Sequence, residues 1–95
     1  MTISLQTIKT QLRDGPYTWP GGYPKYFITE DGASLAFSTV RAEWRQIVAA
    51  HLAGQSNGWL IAECDINWED CDLWDDHTGN RLESAYADVY GCAAN

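Results

Sequence analysis

Lys25-Tyr26-Phe27-Ile28-Thr29-Glu30-Asp31-Gly32-Ala33-Ser34-Leu35-Ala36-Phe37 decides the fold class. Tyr26, Phe27 and Ile28 favour the extended pleated backbone, so Lys25–Thr29 reads as a strand. Glu30-Asp31-Gly32 reads as a tight turn, because Asp-Gly tolerates the positive φ that a short hairpin connection needs. Residues 33–37 read as the returning strand. Ser38 follows as a helix N-cap, and Val40, Trp44, Ile47, Val48 and Leu52 recur at helical spacing over residues 39–53. An antiparallel hairpin followed by an amphipathic helix predicts an α+β domain, with the helix laid across one face of the sheet.

Upstream, Ile3, Leu5, Ile8 and Leu12 give an apolar stripe over residues 3–13. Thr2 or Ser4 is placed to cap this helix, and Asp14-Gly15-Pro16 to end it. Residues 15–24 are turn-rich and carry Tyr17, Trp19 and Tyr23, either as lids on the core edge or as a recognition loop. Downstream, Gly54 to Gly58 closes the second helix. Trp59–Ile66 reads as a strand that turns from continuously apolar to alternating, with Ala62, Cys64 and Ile66 on one face and Glu63 and Asp65 on the other. Asn67–Asp72 reads as a loop, and Leu73–Glu83 as a short hairpin with Asp75–Asn80 at its tip. The predicted order is α-β-β-α-β-(β-β) within one domain spanning residues 1–95. His51 lies near the end of the second helix, where the helix dipole favours a proton.

A chain of 95 residues has a modest core, and five tryptophans and five tyrosines enlarge the apolar area it can bury. The net charge of −7 is unevenly placed. Residues 1–57 carry five bases and four acids, whereas residues 58–95 carry Arg81 against nine acids. Direct nucleic-acid binding and attachment to anionic membrane are disfavoured, since both need clustered Lys and Arg. Cys64, Cys71 and Cys92 lack the spacing of a disulfide framework, and no charged-then-apolar leader opens the sequence. The expectation is a cytoplasmic protein with reduced thiols and no membrane span.

The acids concentrate between Glu63 and Asp88, around Trp68, Trp74 and His77. Asp70, Asp72, Asp76 and His77 offer oxygen and imidazole donors, but their spacing matches neither an EF-hand loop nor a Cys/His zinc set. Cys71 and His77 lie close in sequence, yet neighbouring acids disfavour a thiolate, and nothing supplies an oxyanion hole. No glycine loop cradles a phosphate. The sequence therefore predicts no catalytic residue, no cofactor and no resident metal. The pattern fits a protein-binding surface better, with Trp68, Trp74 and Tyr86 as apolar anchors and Glu69, Asp70, Asp72, Asp75, Asp76 and Glu83 as an acidic rim. A basic protein or nucleoprotein complex is the partner such a rim attracts.

Trp19-Pro20-Gly21-Gly22-Tyr23-Pro24, Tyr26–Gly32, Asn67-Trp68-Glu69-Asp70, Asp76-His77-Thr78-Gly79 and Glu83-Ser84-Ala85-Tyr86 resemble motifs of a group of small, mostly uncharacterised proteins of bacterial phages, prophages and plasmids. The resemblance covers about residues 12–86. It implies origin on a mobile element and expression in the cytoplasm of a host bacterial cell. By analogy of size, charge and origin, the expected role is that of an anti-CRISPR-like inhibitor of host defence, a DNA mimic that occupies a basic nucleic-acid channel. The alternatives are a metal-stabilised module around Asp70, Asp72, Asp76 and His77, and a virion structural or assembly protein whose aromatics make subunit contacts.

Overall fold

The hairpin read from the sequence forms the middle of the sheet. The computed structural model describes residues 2–18, 21–55, 58–68 and 72–84. Strand β1 (Lys25–Thr29) is central, flanked by β2 (Ser34–Leu35) and β3 (Ile61–Ile66), and both pairings are antiparallel. Helices α1 (Leu5–Asp14), α2 (Phe37–Ala42) and α3 (Trp44–Ala53) complete an α+β fold. Gly32 holds φ +87° in the β1–β2 turn, where a side chain would be strained. Thr29 anchors that turn: its N–H donates to the Ala33 carbonyl at 2.9 Å, and its hydroxyl accepts the Ala33 N–H at 3.0 Å.

Strand alternation separates two faces. Phe27 stands opposite Leu35 on one side and Cys64 on the other, and these side chains face the helices. Tyr26 and Ile28 face away, opposite Asp65 and Glu63. The register slips between Ile28 and Thr29, so that Ile28 pairs with Glu63 while Thr29 pairs with Ile61. Ala62 is the extra residue of this bulge. Without it Ile61 would point outward; with it Ile61 is fully buried. The outward polar groups of Ile61 are also satisfied, its N–H by His51 Nε2 at 2.9 Å and its carbonyl by the Ile3 N–H at 3.3 Å.

Ile8, Phe27, Leu35, Phe37, Val40, Ile47 and Ile61 form the core, drawn from all three helices and all three strands. Phe27 and Phe37 stack with ring centroids 4.5 Å apart. Each such buried side chain contributes about 1.5–3 kcal/mol. Ser4 caps α1 by accepting the Thr7 N–H at 3.1 Å, and Gly15 ends it at φ +93°.

Several expectations are corrected. The helix expected over residues 39–53 is two helices, broken at Glu43 with φ −104° and ψ 28°. The break turns α3 so that Ile47 and Ala50 point inward, leaving Leu52 78% exposed instead of on the sheet. The second helix starts at Phe37, not after Ser38, which shortens β2 to two residues. Ser38 is not the cap; Ala36 holds that position without a side-chain bond of its own. Finally, the strand expected from Trp59 begins at Ile61, and the C-terminal hairpin contracts to a single bridge between Trp74 and Arg81.

Phe27→Ala should lower stability by about 3–5 kcal/mol through lost burial and a residual cavity. Urea unfolding followed by tryptophan fluorescence reads this as a lower midpoint, whereas an unchanged midpoint would place the core elsewhere.

Candidate functional site

A buried carboxylate fastens the segment 72–84 to the domain. Asp75 is 1% exposed. Its Oδ2 accepts the Ala36 N–H at 2.7 Å and the Thr39 hydroxyl at 2.7 Å. Its Oδ1 accepts the N–H groups of His77 at 2.8 Å and Thr78 at 2.7 Å. One side of the carboxylate thus shapes its own turn, and the other caps α2 from 39 residues away along the chain. This remote cap explains why α2 begins at Phe37 without help from Ser38. Backbone bonds complete the attachment: Asp75 N–H to Asn80 carbonyl, Leu82 N–H to Leu73 carbonyl, and Asp76 N–H to Ser34 carbonyl on β2.

Burial alone would raise the Asp75 pKa, but the bonds from Ala36, Thr39, Thr78 and His77 outweigh it and hold the carboxyl below its ordinary value. A buried anion with four donors is a structural device. Asp75, expected on the acidic rim, is therefore turned inward and cannot meet a partner.

Around this anchor the other candidates face outward. Trp74 is 52% exposed and Trp68 46% exposed. The Trp68 ring rests on Tyr23 with centroids 4.7 Å apart, just past the paired ends of β1 and β3. Asp72 and Asp76 are exposed. Glu83 is exposed as well, and its Oε1 accepts the Tyr17 hydroxyl at 2.7 Å. That bond, then burial and the nearby charge of Glu83, raise the Tyr17 pKa. Glu69, Asp70 and Tyr86 lie outside the described residues, as do Trp19 and Cys71. Glu63 and Asp65 add two exposed acids on the sheet face opposite the helices.

Among the described residues no three His, Cys, Asp or Glu side chains converge on a metal position. Burial pushes the Cys64 thiol up to about 11, with Lys25 acting against that and Asp65 with it, so its thiolate is scarce at neutral pH. His77 stands edge-on to Trp59 with ring centroids 5.0 Å apart. His51 is half-buried and is not a favoured proton carrier: burial lowers its pKa, and its Nε2 accepts the Ile61 N–H. No protein-family model, curated protein or solved structure matches the chain.

Sequence reasoning missed the inward role of Asp75 and the acceptor role of His51. Half of the first was signalled, since in Asp75-Asp76-His77-Thr78-Gly79 an Asx turn lets the Asp75 Oδ1 accept the N–H groups two and three residues ahead. Nothing in the sequence marks Ala36 and Thr39 as donors to Oδ2.

Asp75→Ala leaves the buried donors of Ala36 and Thr39 unsatisfied and should cost about 2–4 kcal/mol, read by chemical denaturation at pH 7. Asp75→Asn, which keeps one acceptor oxygen, should cost less. The acid-side behaviour follows from the two shifted groups. The folded-state pKa of His51 is lowered, so its contribution is full above the ordinary value of 6.5 and declines as the pH falls from there toward the folded value. The folded-state pKa of Asp75 is also lowered, so its contribution holds above 3.8 and is lost as the pH falls through the folded value. Two successive losses are expected on acidification. His51→Gln should remove the first and leave the second, as urea midpoints measured from pH 8 to pH 3 would show.

Proposed function

We propose that this chain is a non-enzymatic acidic binding protein that captures a basic protein surface. The carrying observation is the exposure of Trp74, with the acids Asp72 and Asp76 two residues to either side of it on a segment fastened by a buried carboxylate, and of Trp68 just past the end of β3. Tryptophan is the side chain that interfaces favour most as an anchor, and an indole fixed at its base loses little freedom on binding. The charge of −7 steers a basic partner toward the molecule and repels nucleic acid. Glu63 and Asp65 widen the acidic surface across the outer sheet face. Glu69 and Asp70 follow Trp68 directly in sequence and belong to the same proposal.

The resemblance to mobile-element proteins supports a partner within the nucleic-acid-handling or defence machinery of a bacterial host. Its basic channel would accept these carboxylates where phosphates otherwise sit. No helix of the described residues is long and apolar enough to cross a membrane.

The test separates charge from scaffold. Asp72→Lys with Asp76→Lys leaves the Asp75 anchor intact and should abolish capture of basic host proteins at low salt. Trp74→Ala should speed release at least about tenfold without changing salt dependence. Immobilised wild-type and variant proteins, exposed to bacterial lysate at two ionic strengths, report both effects. Capture that survives all three substitutions would exclude this surface.

A further inference from the structure

The chain has six basic residues, and three of them, Lys25, Arg41 and Arg81, line one cleft of about 290 Å³. Phe37, Leu82 and Pro24 supply apolar wall, and the Tyr17–Glu83 pair closes one side. In a chain with 13 acids, cations would be expected to find carboxylates. Among the described residues these three form no ion pair; the bridge that is formed joins Arg13 to Asp14 outside the cleft. Neutral groups hold two of them instead. Lys25 Nζ donates to Gln11 Oε1 at 2.8 Å and lies 5.5 Å from the Phe37 ring centroid. The Arg41 guanidinium donates to the Leu12 carbonyl. Neutral acceptors and a ring face fix a cation in place without cancelling its charge. Arg81 is half-buried with no hydrogen-bonded acceptor among the described residues.

We infer that this cleft is a binding site for a small phosphate monoester with a compact apolar body. The charge fits: three cations and the Glu83 carboxylate leave a surplus of two positive charges, and a phosphate monoester carries about −1.5 to −2 at neutral pH. The guanidinium fork of Arg81 matches phosphate oxygens, while Lys25 and Arg41, held by Gln11 and the Leu12 carbonyl, add positive charge to the cleft lining. The volume lies at the low end for small-molecule sites, about 300–1,000 Å³, which favours a ligand no larger than a single ring with its phosphate. Phe37 and Leu82 offer that ring an apolar bed. The site is electrostatically opposite to the acidic surface proposed for partner capture, and only Glu83 is common to the candidates for both.

Phenyl phosphate is the probe, titrated into the full chain at low salt and pH 7.5 with backbone amide resonances as the readout. Saturable shifts confined to Tyr17, Lys25, Phe37, Arg41, Arg81 and Glu83 are expected. Phenyl sulfate, of similar shape with a single charge, should bind several-fold more weakly. Arg81→Gln should weaken phenyl phosphate at least about tenfold, while Arg13→Gln, outside the cleft, should not. Glu83→Gln keeps an acceptor for the Tyr17 hydroxyl, removes a repelling charge and should tighten binding about threefold or more. Unsaturated shifts scattered over all six basic residues, equal response to phosphate and sulfate esters, or an unaltered affinity in both Arg81→Gln and Glu83→Gln would overturn the site.

Discussion

Asp75 carries the interaction on which the docking of residues 72–84 most depends. A carboxylate 1% exposed is costly unless its oxygens are saturated, and here each oxygen takes two donors. The donors come from two places far apart in the chain, so the group cannot be satisfied until α2, β2 and the 75–80 turn are all in position. The same docking protects the sheet. A two-residue β2 would leave an open edge, but the Asp76 N–H takes the Ser34 carbonyl and lays the turn against it. Because this attachment is buried and polar, it fixes the orientation of Trp74 and Asp76 without spending apolar surface on the task.

How much of this was legible follows from how local each determinant is. β1, its Asp-Gly turn and the Ser4 cap depend on neighbours within four residues, and the structure has them at the positions read. The outward placement of Glu63 and Asp65 was equally plain from alternation. The break at Glu43 was not legible, because residues 39–53 keep a helical apolar period throughout. Only tertiary packing decides that Ile47 and Ala50 are buried and Leu52 is not. Ser38 lost its capping role to a carboxylate 37 residues downstream, a competition no local pattern encodes. The bulge at Ala62 belongs to the same class: it exists to return Ile61 to the core face, and an Ile-Ala-Glu run contains no mark of it.

At the site, residue type was legible and direction was not. Trp68, Asp72, Trp74, Asp76 and Glu83 are exposed, and nothing in composition distinguishes them from Asp75 between them. Like charges in adjacent positions have different fates when backbone donors are within reach of only one. The Asx turn begins at Asp75 because the N–H groups two and three residues ahead are free, whereas Asp76 is carried to the outside of the same turn.

Charge separation is the remaining consequence of the fold. The outer sheet face and the 72–76 turn bear carboxylates, while Lys25, Arg41 and Arg81 gather around the cleft beside α2. Had the cations paired with the acids, each exposed bridge would have added at most about 1 kcal/mol. Keeping them apart forgoes that small stabilisation and leaves two surfaces of opposite sign on one 95-residue domain. The two signs meet on one segment: Trp74, with Asp72 and Asp76 two residues to either side, bridges to Arg81 of the cleft, so the stretch docked by Asp75 carries an edge of each surface. Disturbing that docking would therefore displace the exposed indole and the cleft lining together.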